Sequence, residues 1–501
     1  MFYIYPLILC LVPAATIYWG SAIPIHHAYL SWITIAFLVG ILVFIINLFT
    51  KNKKKTGVIV AAISIGFFYF ENFLHLISYI SLTLGIIQEK TDIEYSIVLP
   101  VVFFIIWSIL WIMITRIIIR SDSLTHKCDH YLSVVSIILL IFMVSGIGIK
   151  INVSNKFQKN VKSILINNPG MDSNKDIAQP SYDNDNQPDI YYLIFDAFAG
   201  SNILLEYYDT DILYFIEQLE KRGLYVATAS KSNYSLTVDS LPSSLNINYW
   251  DDLAEDEIKH IGWIPINPLL QNNLVSNYLR KSGYELVTFT SGFWPTEDIM
   301  TDMKLSPWIN LNEYQENLLS FTPVPRIFPS ILYDNHRNRI NFILNSLKDI
   351  KREEKPVFVF AHILTPHPPF IFDEEGNPVH PNRPYSYFDA DGYRRLGGTT
   401  AEYQEMYSGQ LNFVVDRILE IIDEILLESE HPPILIIQGD HGPGSMVNLA
   451  HLENNNLDER FSIMNAYYFP DKDYSSLYPS ITPVNTFRVV FNQYFEGNLP
   501  L

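Results

Sequence analysis

Five apolar runs, each long enough to cross a bilayer, dominate the first 150 residues of this 501-residue chain. A helix of roughly 20 apolar residues spans the hydrocarbon core of a membrane. No basic segment precedes the first run and four more follow it, so a cleaved signal peptide is not expected. Residues 1–150 are therefore predicted to be a membrane domain of five transmembrane helices, at about 2–22, 28–49, 57–78, 96–116 and 131–149.

The loops between these runs differ in charge. Four lysines lie within residues 51–55, between the second and third runs, and Arg116, Arg120 and Lys127 lie between the fourth and fifth. The loop between the third and fourth runs is acidic. Because basic loops stay in the cytoplasm, we expect a multi-pass plasma or inner membrane protein with a cytoplasmic N-terminus. Everything after residue 150 is then extracytoplasmic.

The extracytoplasmic part is strongly acidic. Residues 1–150 carry a formal charge of +3 and the whole chain −19, which leaves −22 for residues 151–501. Such a surface argues against nucleic acid as a partner, because phosphates need a basic surface, and against simple adsorption to anionic lipid. The two cysteines, Cys10 and Cys128, fall in the N-terminal region, so the outer part has no thiol for a disulfide, a nucleophile or a metal ligand.

Composition changes again after the last apolar run. Residues 151–188 are rich in Asn, Asp, Ser, Gln and Pro, a composition typical of a linker without a core. From 189 to 501, helix-like patterns at 211–222, 274–283 and 403–428 are each followed by a β-rich run. This alternation predicts a layered α/β domain.

Three strand-like runs of this domain end in residue types that bind metals. The runs cover about 189–195, 356–361 and 434–439, and the residues that follow them are, in chain order, Asp196, His362, His367, Asp440 and His441. Parallel α/β sheets place ligands beyond the carboxyl ends of their strands. Aspartate oxygen and imidazole nitrogen together suit a divalent cation. Each residue alone is as readily a cap or turn residue, but together they indicate a metal-dependent enzyme.

A nucleophile is sought in the hydroxyl-rich segment 233–246, which contains Thr237 and Ser240. By itself this segment is most simply a turn that caps a helix starting near Leu241. Inside the third apolar run, Glu71 and His75 share a helix face. They indicate either interhelical hydrogen bonding or a lipid head-group site.

These motifs resemble the sulfatase branch of the alkaline phosphatase superfamily, in its membrane-anchored hydrolase/transferase group. That group is similar in plan to lipoteichoic acid synthases and lipid A phosphoethanolamine transferases. The resemblance covers about 189–497 and, loosely, the anchor. It implies a multi-span membrane domain followed by an α/β sandwich with a central, mostly parallel sheet. The segment ending in Asp196 resembles the family's first strand, and Asp440-His441-Gly442 its Asp-His-Gly metal motif.

The resemblance also implies roles for individual residues. Sulfatases convert a Cys or Ser in Cys/Ser-X-Pro-X-Arg to formylglycine, but in the matching segment of this chain, Ser240-Leu-Pro-Ser-Ser, Ser244 replaces the arginine. Alignment on residues 243–245 puts Thr237 at the nucleophile position, as in the phosphoglycerol and phosphoethanolamine transferases. The implied metal ligands are Asp196, Thr237, Asp440 and His441, and the implied catalytic residues are Thr237, His362 and His367.

The expected cofactor is a divalent metal, with Zn²⁺ or Mn²⁺ favoured and Mg²⁺ compatible. The expected activity is transfer or hydrolysis of phosphate or sulfate esters of lipid or glycan head-groups, through a covalent threonine intermediate. Two alternatives stand beside it: a sulfatase or phosphodiesterase with water as acceptor, and an inactive lipid-binding regulator.

Overall fold

The computed structural model describes residues 4–83, 98–167, 187–249, 267–350, 352–381, 383–448 and 457–501. The chain divides into two compact units. The first comprises Met1–Phe157, Leu311–Leu332 and Asn382–Pro384, and the second comprises Gln158–Asn310, Tyr333–Pro381 and Tyr385–Leu501.

The first unit is helical and apolar, which confirms a multi-span membrane domain. Its N-terminal helices are α1 (Ile4–Gly20), α2 (Ile25–Thr50), α3 (Lys53–Phe68), α4 (Phe70–Thr83), α5 (Val98–Arg120) and α6 (Asp122–Asn167), of which α6 leaves the unit after Phe157. Three segments of the described residues are long and apolar enough to cross a membrane: Ile25–Thr50, Phe103–Arg120 and Asp122–Val153. The run predicted at 57–78 is divided between α3 and α4, whose segments Lys53–Phe68 and Phe70–Ile77 meet at a bend of 59°, the geometry of a broken span or of a re-entrant loop. The run predicted at 2–22 forms the shorter helix α1.

Helix α6 runs past the boundary predicted at residue 150. Its 46 residues reach Asn167, so the predicted linker 151–188 begins as helix. A polar composition disfavours a buried core but does not prevent continuation of a helix that an apolar segment has already nucleated. The rest of the linker, 168–186, lies outside the described residues.

The first unit also contains a segment that we expected in the α/β domain. Residues 311–332 form the short helices Glu313–Ser320 and Val324–Ile327. The hydroxyl of Tyr314 donates to the carbonyl of Ala14 at 2.7 Å and lies 2.6 Å from the indole nitrogen of Trp32. These contacts attach the segment to helices α1 and α2.

A seven-stranded sheet forms the centre of the second unit. In chain order its strands are β1 (Ile190–Phe195), β2 (Tyr225–Val226), β3 (Glu285–Phe289), β4 (Met303–Leu305), β5 (Val357–Ile363), β6 (Ile434–Gln438) and β7 (Asn465–Tyr468). They are arranged β2-β7-β6-β1-β5-β3-β4. Strands β6, β1, β5, β3 and β4 are parallel, and only β7 and β2 are antiparallel to their neighbours. The expectation of a mostly parallel sheet is confirmed.

Helices cover both faces of this sheet. Alternate residues of β1 point to opposite sides, so Tyr191, Leu193 and Phe195 enter one apolar core while Ile190, Tyr192 and Ile194 enter the other. Because both faces of β1 are buried, the strand is apolar throughout. The helices of the unit are Ser201–Tyr208, Leu213–Lys221, Thr237–Asn246, Asn267–Gln271, Leu274–Lys281, Trp294–Glu297, Ile331–Ser346 (which begins in the first unit) with the 3₁₀ turn Leu347–Asp349, Ala390–Arg395, Thr400–Glu428, Leu457–Phe461 and Pro483–Tyr494.

Candidate metal centre and active site

The strands that precede the predicted site residues are neighbours in the sheet. Strands β5, β1 and β6 lie side by side and run in the same direction. Asp196 directly follows β1, His362 is the penultimate residue of β5, and Asp440 comes two residues after β6. All three side chains are at most 2% exposed. The sheet thus brings these three residues together at its carboxyl edge.

Three buried atoms of this group have no hydrogen-bond partner among the described residues. They are Oδ1 of Asp196, Nε2 of His362 and Oδ2 of Asp440. One ligand atom from each of the three residues lies within 4.8 Å of the others. Buried polar atoms without partners are costly and rare in folded proteins. A divalent cation would satisfy all of these atoms, so the donor set fits a metal.

The other oxygen of Asp440 is held by the backbone. Its Oδ1 accepts hydrogen bonds from the amide of Ala197 at 3.1 Å and from the amide of His441 at 3.0 Å. Ala197 has a φ of 63°, in the left-handed region that costs a non-glycine residue about 1–2 kcal/mol. This turn directly after Asp196 directs the amide of Ala197 at Asp440, and it leaves Oδ2 of Asp440 available to a cation.

Hydrogen bonds determine which ring nitrogen of His441 and of His362 is available to a metal. Nδ1 of His441 donates to the carbonyl of Gly442 at 2.9 Å, so Nε2 carries the lone pair and lies 3.6 Å from carboxylate oxygens of both Asp196 and Asp440. Nδ1 of His362 lies 3.0 Å from the hydroxyl of Thr296, and its Nε2 is 3.2 Å from Asp196. Anchoring of the second nitrogen is typical of metal-binding histidines. His362, which the resemblance implied to be a catalytic residue and not a metal ligand, therefore lies among the candidate ligands.

Thr237 reaches the same cluster. It is the first residue of the helix Thr237–Asn246, and its hydroxyl lies 3.2 Å from Nε2 of His441. The positive end of the helix dipole there favours a developing alkoxide. Ser240, the alternative nucleophile, donates instead to the carbonyl of Asp440 at 2.7 Å. Its hydroxyl supports the turn that carries Asp440 and His441.

His367 lies at the border of the cluster. Its ring centroid is 6.2 Å from that of His441, and its Nε2 is 3.9 Å from a carboxylate oxygen of Asp389. Burial, the largest influence, favours the neutral ring, but the carboxylates of Asp196 and Asp389 together raise the pKa of His367 above its ordinary value. A protonated imidazole in this place suits an anionic substrate.

Three residues of the site had no signal in the sequence that we recognised. Thr296 orients His362, Asp389 lies beside His367, and Arg460 contacts His441. Asp389 precedes the short helix Ala390–Arg395, and Arg460 lies in the short helix Leu457–Phe461. Neither is part of a strand-end motif.

Glu71 of the membrane unit has a different role. Its carboxylate forms a two-pronged ion pair with Arg326 at 2.9 and 3.1 Å, and its amide contacts the carbonyl of Phe321. Of the two alternatives raised above, this geometry favours polar packing within the unit. His75 is exposed.

The fold and the buried cluster define a membrane-anchored α/β protein with a candidate metal centre at the carboxyl edge of its parallel strands. No protein-family model and no curated protein sequence matches the chain. Among solved structures, it is similar to the periplasmic domain of EcEptC from Escherichia coli in complex with Zn (12% identity, TM-score 0.42), over 64% of this chain and 85% of that chain.

It is also similar to the integral membrane lipooligosaccharide phosphoethanolamine transferase A of Neisseria meningitidis. That match has 12% identity and a TM-score of 0.39, over 98% of this chain and 95% of that chain. A third match is the Streptococcus pyogenes phosphoglycerol transferase GacH in complex with sn-glycerol-1-phosphate (11% identity, TM-score 0.37), over 70% of this chain and 81% of that chain.

Proposed function

We propose that this protein is a metal-dependent transferase that moves a phosphate-ester head-group of a lipid or glycan at the outer face of the membrane. The observation that carries the proposal is the convergence of the Thr237 hydroxyl with three unpartnered buried donor atoms at one sheet edge. The basic loops of the membrane unit support an extracytoplasmic site. A membrane anchor suits a reaction in the cell envelope whose donor is a lipid.

Asp196, Asp440 and His441 would hold the metal together with Thr237, and the orientation of Nε2 adds His362 to this set. Carboxylate and imidazole donors favour Zn²⁺ or Mn²⁺ and remain compatible with Mg²⁺. When bound, such a metal lowers the pKa of a coordinated hydroxyl and neutralises charge on phosphoryl oxygens.

Thr237 supplies the nucleophile. With its hydroxyl proton released to solvent, the oxygen of Thr237 forms a bond to phosphorus while the bond from phosphorus to the donor's alcohol breaks, which leaves the head-group phosphate esterified to Thr237. An acceptor hydroxyl then takes the phosphoryl group and releases Thr237. His367, protonated beside Asp196 and Asp389, donates a proton to the departing alkoxide or a hydrogen bond to the phosphoryl oxygens. Burial of the site excludes water and favours transfer over hydrolysis.

The same cluster would serve a sulfatase or phosphodiesterase with water as acceptor, but the hydrogen bond of Ser240 to Asp440 argues against a formylglycine there. Mass spectrometry of full-length protein quenched during turnover of bis(p-nitrophenyl) phosphate tests the nucleophile. We expect a p-nitrophenyl phosphoryl group on Thr237, retained on the serine of Thr237→Ser and absent in Thr237→Val. A modified Ser240 with turnover of p-nitrophenyl sulfate would favour the sulfatase.

Metal content tests the inactive-regulator alternative. We expect the purified full-length protein to retain one tightly bound divalent ion per chain, and Asp440→Asn to lose most of it, because Oδ2 of Asp440 becomes an amide. Ser243→Ala is the matched control, since it lies on the same helix as Thr237 and its hydroxyl donates to the carbonyl of Asn248 rather than to a residue of the site. An unmutated protein that binds no divalent metal would rule out the enzyme.

A further inference from the structure

Arg460 is one of the largest fully buried side chains of the protein, with 1% exposure. Two of its guanidinium nitrogens have oxygen acceptors. Nε donates to the carbonyl of Ser235 at 2.6 Å, and Nη1 donates to Asp389 at 2.5 Å and to the carbonyl of Gly442 at 2.9 Å. These bonds hold the planar group in a single orientation at the border of the candidate metal centre.

The third nitrogen, Nη2, is directed at the cluster itself. It lies 3.4 Å from Nε2 of His441, the same atom that the hydroxyl of Thr237 approaches at 3.2 Å. A neutral imidazole has one lone pair at this nitrogen. If a metal takes that lone pair, as the proposed function requires, the N–H groups of Nη2 need another acceptor. The nucleophile and the metal are both beside this position, so a phosphoryl oxygen is the acceptor that the reaction itself supplies.

Further hydrogen bonds and a close backbone contact fix the groups around Arg460. Asp389 accepts the hydroxyl of Tyr403 at 2.6 Å through its other oxygen. The amide of Gly442 donates to the carbonyl of Arg460 at 2.7 Å, reciprocal to the bond from Nη1. A Cβ at Gly442 would come within 2.1 Å of the carbonyl of Glu459, so the two backbone segments touch directly. Donors held in this way need no rearrangement when charge develops, the condition for electrostatic catalysis.

We propose that Arg460 is a catalytic residue whose Nη2 donates to a non-bridging oxygen of the phosphoryl group as that group transfers to Thr237. Asp389 is its positioning residue, since one of its carboxylate oxygens accepts from Nη1 of Arg460 and also lies 3.9 Å from Nε2 of His367. Arginine suits this role because the N–H groups of its planar guanidinium match the geometry of phosphate oxygens, and because the guanidinium keeps its charge when buried. The inference rests on the proposed function and deepens it.

The test measures phosphate and metal binding separately on the full-length protein in detergent. Zn²⁺ affinity is measured first, and binding of inorganic phosphate to the Zn²⁺-loaded protein is then followed by calorimetry. We expect Arg460→Lys to weaken phosphate binding roughly 10- to 100-fold, the range for a hydrogen bond to a charged group, and to change Zn²⁺ affinity less than threefold. The matched control is Arg394→Lys, since within the described residues the guanidinium of Arg394 donates to the carbonyls of Ser445 and Val447 and not to a residue of the site. It should leave both affinities unchanged.

Two results would overturn the proposal: phosphate binding by Arg460→Lys as tight as that of the unmutated protein, or loss of Zn²⁺ binding in parallel with phosphate binding. The second result would mean that Arg460 only supports the turn at Gly442. If Arg460→Lys does not fold, the neutral pair Arg460→Gln with Asp389→Asn removes both charges together, and the same selective loss of phosphate affinity is expected.

The positioning role of Asp389 is tested by measuring phosphate and Zn²⁺ affinities, because a change in stability alone would not distinguish it from a structural role. We expect Asp389→Asn to weaken phosphate binding with Zn²⁺ affinity unchanged, and Asp389→Glu to recover part of it. Equal phosphate affinity in Asp389→Asn and the unmutated protein would refute the positioning role. Failure of the unmutated, Zn²⁺-loaded protein to bind phosphate would instead refute the proposed function, and this inference with it.

Discussion

Replacement of Thr296 by Val removes the hydroxyl that lies 3.0 Å from Nδ1 of His362 and keeps the shape of the side chain. The same hydroxyl contacts the carbonyl of Phe293 at 3.1 Å and the hydroxyl of Ser291 at 2.8 Å. With Thr296 as acceptor, Nδ1 carries the proton, and the lone pair on Nε2 of His362 is available to a cation held together with Asp196 and Asp440. Without it, a buried N–H has no acceptor and the ring is free to adopt the other tautomer.

The expected decrease in Zn²⁺ affinity follows from the loss of this hydrogen bond to Nδ1 of His362. A buried donor left without a partner costs about 1–3 kcal/mol, and removal of a hydrogen bond that orients a metal ligand typically weakens metal binding about 10- to 100-fold. The two ranges agree, because a factor of ten is about 1.4 kcal/mol. We therefore expect Thr296→Val to weaken Zn²⁺ binding by one to two orders of magnitude.

The assay is competition between the full-length protein and a chelating dye for Zn²⁺ at fixed pH. The matched control is Thr288→Val, because the hydroxyl of Thr288 on β3 is buried but has no hydrogen-bond partner among the described residues. Zn²⁺ affinity in Thr296→Val equal to that in Thr288→Val would refute the assignment of His362 to the metal.

Two further predictions concern stability. Burial, with Arg339 nearby, lowers the pKa of His336 to about 3. Since an unfolded histidine titrates near pH 6.5, only the unfolded state takes up this proton between about pH 6.5 and 3, and stability falls as the pH falls, by up to about 1.4 kcal/mol per unit. His336→Gln should flatten the dependence of the melting temperature on pH in this window, and an unchanged slope would contradict it. Arg326→Gln should destabilise the docking of residues 311–332 by about 3–5 kcal/mol, because Glu71 is left as a buried charge without its partner, and limited proteolysis within that segment should accelerate. The double variant with Glu71→Gln should recover much of the loss, and equal cleavage rates in all three proteins would show that the ion pair does not hold the segment.

The sequence by itself determined the features that depend on neighbours along the chain. Apolar runs of bilayer length predicted a multi-span membrane domain, because a helix in lipid must be apolar over its whole length. The alternation of helix-like and β-rich runs predicted a layered α/β domain, and the resemblance to the sulfatase branch implied that its sheet is mostly parallel. The positions of Asp196 and Asp440 directly after two of these strands were sufficient to place them together, since parallel strands end at a common edge.

Only the tertiary structure decided the contacts that join distant segments. The orientation of His362 by Thr296, the approach of Arg460 to His441 and the Asp389–Arg460 pair each depend on loops whose paths follow from packing rather than from a local pattern. The same holds for residues 311–332, which lie between strands β4 and β5 in sequence but belong to the membrane unit. Periodicity reports which face of an element is buried. It carries no information about which remote charge or hydroxyl will meet that element, because that choice is made when the whole chain packs.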